Sequence, residues 1–121
     1  MSSKAVISLT TGLEDAEKVT VAFLVAVGAV ETGRDAVMFL TKEAVRLATS
    51  GYGHAIACDG CPELSTLLDR YAAAGGKYFV CPICFGSRGL DEQELPKNAE
   101  LNGTIPLWQW IGEDHAVTFT Y

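Results

Sequence analysis

The chain has no Gly-rich phosphate loop of the GxGxxG or GxxxxGK type, no HExxH pair and no basic patch. Those absences remove the usual sequence signs of nucleotide binding and of a zinc hydrolase. Nine Lys and Arg stand against 15 Asp and Glu, and the net charge of −6 argues against nucleic acid and anionic membrane surfaces as partners. The longest apolar stretch, Val19 to Val30, is shorter than the ~20 residues needed to span a bilayer. Met1-Ser2-Ser3-Lys4 runs straight into a strand-like segment, so no signal peptide is expected. There is no repeat, low-complexity tract or linker, and one domain over residues 1–121 is expected. His54 and His115 read as strand or loop residues rather than ligands, and the acidic run Asp91, Glu92, Glu94 reads as a solvated helix face. No paired-carboxylate catalysis is visible in that run, and no general acid or base can be named.

What remains is a chain of 121 residues that is 49% hydrophobic, enough for a full core without staples. Its four cysteines are therefore not needed as a disulfide framework, and a cytoplasmic protein with reduced thiols is expected. They fall in two pairs, Cys58-Asp59-Gly60-Cys61 and Cys81-Pro82-Ile83-Cys84. The second pair sits directly behind the apolar run Lys77-Tyr78-Phe79-Val80, where a buried strand ends.

Along the chain, Ala5 to Leu9 has the length and apolarity of a buried strand. Thr11-Gly12-Leu13-Glu14 reads as a capping box, with Thr11 as N-cap and Asp15 and Glu17 adding first-turn negative charge. Val19, Phe23, Ala26, Val27 and Val30 make one apolar helix face, and Val21, Leu24 and Val25 make the other side apolar as well. A helix apolar nearly all round is buried on both sides, which points to a second subunit. Gly33 ends it. Asp35 to Leu40 is a second strand, Thr41 caps a short helix to about Ala48, and His54 to Ala57 is a weak third strand. Pro62 suits the first position of the next helix, which would make Cys61 its N-cap. Leu64, Leu67, Leu68, Tyr71 and Ala72 form its stripe, and Gly75-Gly76 ends it. Lys77 to Val80 is then strand four. A helical piece at Asp91 to Leu95, a polar loop to Gly103, a turn or two of helix from Pro106 to Ile111 and a half-exposed strand from Ala116 to Tyr121 complete the chain. Trp108 and Trp110 read as core or subunit contact.

Strands alternating with helices indicate an α/β domain with a mostly parallel sheet. Ligands in such sheets bind beyond the carboxyl ends of the strands. Thr10-Thr11-Gly12, Thr41, Cys58 to Cys61 and Cys81 to Cys84 all fall at that edge. The pattern C-x2-C-x19-C-x2-C has zinc-site spacing, with Cys58, Cys61, Cys81 and Cys84 as four thiolate ligands. A full helix and strand separate the pairs, unlike the small hairpin knuckles of zinc ribbons. The other reading is thiol chemistry. The thiolate is the nucleophile and is favoured near helix N-termini. Arg88 is close enough in sequence to Cys81 to support an anion, and Cys84 could resolve an oxidised or persulfidated Cys81. A thioredoxin arrangement fits poorly, because its CxxC opens a helix after the first strand. Cysteine as a small buried hydrophobe is the bland alternative.

The segments Val6-Ile7-Ser8-Leu9-Thr10-Thr11-Gly12, Ala36-Val37-Met38-Phe39-Leu40 and Ala74-Gly75-Gly76-Lys77-Tyr78-Phe79-Val80-Cys81-Pro82-Ile83-Cys84, with Arg88-Gly89-Leu90 and the final aromatic strand, resemble the DsrE/DsrF-like superfamily in order and spacing. The resemblance covers nearly the whole chain. It implies a three-layer α/β/α domain with a five-stranded sheet, and assembly as a homotrimer or homohexamer. Sulfur-relay members carry a persulfide on a cysteine after the fourth strand, and Cys81 matches that position. Cys84 and the Cys58/Cys61 pair depart from the simplest relay pattern. The expected function is a sulfur-carrier or thiol-redox protein, sulfurtransferase-like and without cofactor. Cys81 is its nucleophile and Cys84 its resolving thiol, Thr10, Thr11, Gly12 and Arg88 line the pocket, and sulfur donor and acceptor proteins are its partners. Zinc on the two pairs, or a non-catalytic oligomer subunit, are the alternatives.

Overall fold

The computed structural model describes residues 3–49 and 51–121, without the side chains of His54 and Ala55. Five strands, β1 (Lys4–Leu9), β2 (Asp35–Leu40), β3 (Lys77–Val80), β4 (Ala99–Leu101) and β5 (Ala116–Thr120), lie in the order β4-β3-β2-β1-β5. Every pairing is parallel. Four α-helices connect them: α1 (Ala16–Glu31), α2 (Leu64–Ala73), α3 (Pro82–Ser87) and α4 (Thr104–Ile111).

The three central strands are apolar at nearly every position because both sheet faces are covered, as parallel sheets require. Side chains alternate across the sheet. Ile7, Leu9, Met38, Leu40, Tyr78 and Val80 enter the larger core with Val19, Phe23, Ala26 and Val27 of α1 and Leu64, Leu67 and Tyr71 of α2. Val6, Val37, Phe39 and Phe79 point the other way, where Leu107, Trp110 and Ile111 of α4 pack on them. The result is the three-layer α/β/α domain. The second layer is thin, since one eight-residue helix covers that face. Lys4 fastens it: its ammonium donates to the Trp110 carbonyl at 2.5 Å, lies 2.9 Å from the Asp114 carboxylate and sits over the Trp110 ring.

Local signals in the chain explain most boundaries, with some shifts. The capping box begins one residue later than expected. Glu14 does reach back, accepting from Gly12 N at 2.6 Å, but Leu13–Asp15 forms a 3-10 turn and α1 is capped by Asp15, which accepts from Lys18 N at 3.0 Å. Thr11 is not its N-cap. Glu63, not Cys61, precedes α2 as N-cap. The weak strand expected at His54 to Ala57 does not form; Tyr52–Ala55 is a 3-10 turn, and the sheet instead gains β4 from residues read as a polar loop. The sheet thus has five strands, and Cys81 follows the third of them in chain order, not the fourth. The doubly apolar α1 is buried on one side. Val21 (40% exposed) and Leu24 (42%) face outward, and on the edge strand β5 so do Val117 (51%) and Phe119 (43%), which border a groove with Val25 and Ala29 of α1.

The start of β3 is held by an aromatic cluster. Tyr71 is fully buried, its hydroxyl donates to the Lys77 carbonyl at 2.6 Å, and its ring lies 5.1 Å from that of Tyr78. Burial pushes both phenols well above the usual tyrosine range. Gly76 passes against the Tyr71 ring, where a Cβ would collide with three ring carbons.

Candidate functional site

β3 delivers Cys81 to the carboxyl edge of the sheet. Its N–H donates to the Leu40 carbonyl at 2.9 Å and its carbonyl accepts from Phe85 N at 3.0 Å, so the backbone is pinned between the end of β2 and the first turn of α3. Cys81 is the residue that caps α3, yet its thiol takes no part in the cap. Cys81 and Cys84 are both free and half-buried, packed at the margin of the larger core. Cys81 also borders an open groove of about 330 Å³ with Phe39, Ile83, Gly103 and Ile105. Ile83 at 82% and Ile105 at 69% exposure make its lips apolar.

Arg88 does not serve as a free cation at this thiol. Its Nε donates to Glu43 Oε2, and its Nη1 donates to the Cys84 carbonyl at 3.2 Å. Glu43 accepts from Arg46 as well, at 3.0 Å. The hydrogen bond from Arg88 holds the Glu43 carboxyl below the usual range, and Glu43 in turn raises the guanidinium. Arg88 therefore clamps the end of α3 to the 3-10 turn Lys42–Ala48. Nothing in the sequence pairs Glu43 with Arg88, because 45 residues separate them.

The expected lining residues Thr10, Thr11 and Gly12 build the same rim but do not border the groove at Cys81. Thr10 ties both its N–H (3.0 Å) and its hydroxyl (3.2 Å) to the Tyr121 carbonyl. Thr11 is buried. Gly12 lies so close to the Tyr52 hydroxyl and the Glu43 carbonyl that a Cβ there would stand 2.8 Å and 3.0 Å from them. The Tyr52 hydroxyl, which sequence reading passed over, accepts from Leu13 N at 3.0 Å and ties this turn to the Tyr52–Ala55 turn.

The first pair differs from the expectation of reduced thiols: Cys58 and Cys61 are joined by a disulfide, with Cα atoms 5.4 Å apart. Cys58 Sγ rests 3.8 Å from the Thr20 hydroxyl of α1. The pair borders its own cavity, beside the first turn of α2. Among the described residues no three His, Cys, Asp or Glu side chains converge on a position that could hold a metal ion. The four cysteines are therefore not assembled as the tetrahedral thiolate site that their spacing allows. The bonded pair has no free thiolates to offer, and it borders a different cavity from the one at Cys81.

The all-parallel five-stranded sheet with helices on both faces makes this a three-layer α/β/α protein, and a free cysteine stands at the carboxyl edge of its sheet. The chain belongs to the DsrE/DsrF-like family, whose model matches residues 3–119. It is 29% identical over 104 residues to the uncharacterized protein MJ0760 of Methanocaldococcus jannaschii, a match that covers 86% of this chain but 38% of that longer protein. The crystal structure of the ychN protein from E. coli matches with a TM-score of 0.77 at 18% identity, over the full length of both chains. MTH1491 of Methanobacterium thermoautotrophicum, a protein of unknown function, matches with a TM-score of 0.62 at 13% identity, covering 98% of this chain and 100% of that one. At these identities the two structures establish the fold. No helix among the described residues is long and apolar enough to cross a membrane.

Proposed function

We propose that the protein carries sulfane sulfur as a persulfide on Cys81. The observation that supports this best is the placement of Cys81: a free thiol at a strand end, uninvolved in the α3 cap, on the border of an open groove. The Cys81 thiolate attacks the outer sulfur of a donor persulfide. A new S–S bond forms, the donor's S–S bond breaks, and the donor departs as a thiolate. An acceptor thiolate then attacks the terminal sulfur and Cys81 leaves as a thiolate, so no net oxidation occurs. If Cys84 attacks Cys81 instead, the terminal sulfur departs as hydrosulfide and a Cys81–Cys84 disulfide remains, which makes Cys84 the resolving thiol.

The donor and acceptor are proteins on this reading, because the groove lips are apolar and the nearest cation is already paired. The exposed apolar residues of α1 and β5 support self-association as a homotrimer or homohexamer. The net charge of −6 favours a protein that does not engage nucleic acid, and the free thiols of Cys81 and Cys84 suit a cytoplasmic one. Loading with a persulfide donor, followed by mass mapping of the added sulfur, tests the carrier role. Cys81→Ser should abolish the added sulfur and leave the assembly intact. Undiminished loading of that variant would refute the assignment.

A further inference from the structure

The proposed carrier chemistry makes no use of Cys58 and Cys61. We infer that they form a second site, one that exchanges electrons with thiols by cycling between disulfide and dithiol. The decisive feature is that the backbone, not the bond, sets the geometry. Cys58-Asp59-Gly60-Cys61 is a tight turn in which Cys61 N donates to the Cys58 carbonyl at 3.1 Å. Gly60 takes the left-handed conformation (φ 77°) that the third position of a type II turn requires, with Asp59 before it not at positive φ. A turn of this kind by itself brings its first and fourth Cα atoms within about 7 Å, and here they stand 5.4 Å apart, within the normal disulfide range. A crosslink across so short a loop stabilises the fold less, on chain-entropy grounds, than one that closes a long loop.

The surroundings suit both redox states. Both cysteines line a cavity of about 460 Å³ with Pro62, Glu63, Leu64 and Ser65, through which an incoming thiol would reach the bond. Behind Cys58 stands the buried Thr20, whose hydroxyl donates to the Ala16 carbonyl at 2.9 Å. Its oxygen is thus placed to accept from a Cys58 thiol, and its proton can turn toward a Cys58 thiolate. The exchange follows from this arrangement. A thiolate entering the cavity attacks Cys61 Sγ and forms a mixed disulfide. The Cys58–Cys61 bond breaks, and Cys58 leaves toward Thr20 and takes a proton. A second thiolate attacks the incoming sulfur, and Cys61 is released. Two thiols become one disulfide, and the Cys58–Cys61 pair gains two electrons.

The test equilibrates the full chain carrying Cys81→Ser and Cys84→Ser in buffers running from oxidised to reduced glutathione. Acid quench, alkylation and mass mapping of the 58–61 peptide follow. In this background the outcome is independent of the carrier proposal. Both thiols should become alkylated together in a single two-electron transition, with the reduced-to-oxidised ratio changing tenfold for each tenfold change in [GSH]²/[GSSG]. The far-UV spectrum should stay the same throughout. Adding Cys58→Ser should trap a glutathione adduct on Cys61, and adding Cys61→Ser should leave Cys58 with at least tenfold less adduct. A pair that stays bridged in fully reduced glutathione, or that stays free in fully oxidised glutathione, overturns the proposal. Preferential adduct on Cys58 overturns the assignment of Cys61 as the attacked sulfur.

Discussion

Replacing Gly76 by alanine should destabilise the protein far more than an ordinary glycine substitution, and the reason is a single ring. Gly76 is not among the glycines at positive φ, so its backbone conformation admits alanine. The added methyl would collide with Cδ1, Cε1 and Cζ of Tyr71. That ring cannot swing away cheaply. It is fully buried, packed on Phe23 and Tyr78, and anchored by its hydroxyl on the Lys77 carbonyl. Overpacking of this kind costs about 1–3 kcal/mol, and losing the phenol hydrogen bond would add about 1 kcal/mol. We therefore expect a loss of about 2–4 kcal/mol, a large part of the ~5–15 kcal/mol that holds a domain folded. Urea unfolding monitored by circular dichroism reads this as a lower midpoint at constant slope. The control is the same substitution in a Tyr71→Leu background, where the ring is gone and Gly76→Ala should cost under about 1 kcal/mol. The difference, about 1 kcal/mol or more, is the coupling between methyl and ring. A Gly76→Ala protein within about 0.5 kcal/mol of wild type, or an equal cost in both backgrounds, would show that the Tyr71 ring does not set the start of β3.

Other outcomes follow from the rim and the outer faces. Cys84→Ser should still load sulfur on Cys81 but retain it longer after transfer to acceptor-free buffer, as read by time-resolved mass mapping. Glu43 is held below its ordinary value of 4.5 by Arg88, so the unfolded chain takes up a proton at a higher pH than the folded one. The stability contributed by this clamp should be fully present above about pH 4.5 and vanish as the pH falls through the folded-state value. Urea midpoints of Glu43→Gln and wild type should therefore differ at neutral pH and converge in acid. Lys4→Met should loosen α4 at a cost of about 1.5–3 kcal/mol, with a red shift of Trp110 fluorescence. Leu24→Glu, at a position 42% exposed in the single chain, should fold normally and sediment as a smaller species; an unchanged sedimentation coefficient would remove α1 from the self-association face.

The central fold was legible because its signals are redundant. Asp35–Leu40 and Lys77–Val80 are apolar runs bounded by turns, and the Leu64, Leu67, Tyr71 stripe is periodic; all three occur where the sequence places them. The errors lie where a single weak cue decided. Ala99–Leu101 has three residues and one paired edge, too little for a pattern. His54 to Ala57 has strand-like composition but follows Gly51 and Gly53 into a tight turn. Pro62 marks the approach to α2, yet the helix waits for Glu63, so Cys61 lies outside it. At the site, spacing alone cannot separate a thiolate ligand from a disulfide partner. The tertiary placement does so, because among the described residues the two pairs do not converge on one position. The role of Arg88 was hidden for a different reason: its partner lies on a distant segment, and a cation near a cysteine in sequence need not face it in space.

The pairing of β1 with β5 sets the order in which the protein can be made. Lys4 lies opposite Ala116, and Ser8 opposite Thr120, so the contact joins residues more than a hundred positions apart. Contacts of such separation form late, after the loop entropy between them has been overcome. During synthesis, β1 through β4 can associate while the outer edge of β1 still presents unpaired peptide groups to solvent. That edge is a template for any free strand, including the β5 of another chain. The step exposed to misassembly is therefore the closing of the sheet, and crowding of nascent chains should affect yield more than any lack of stability in the finished domain.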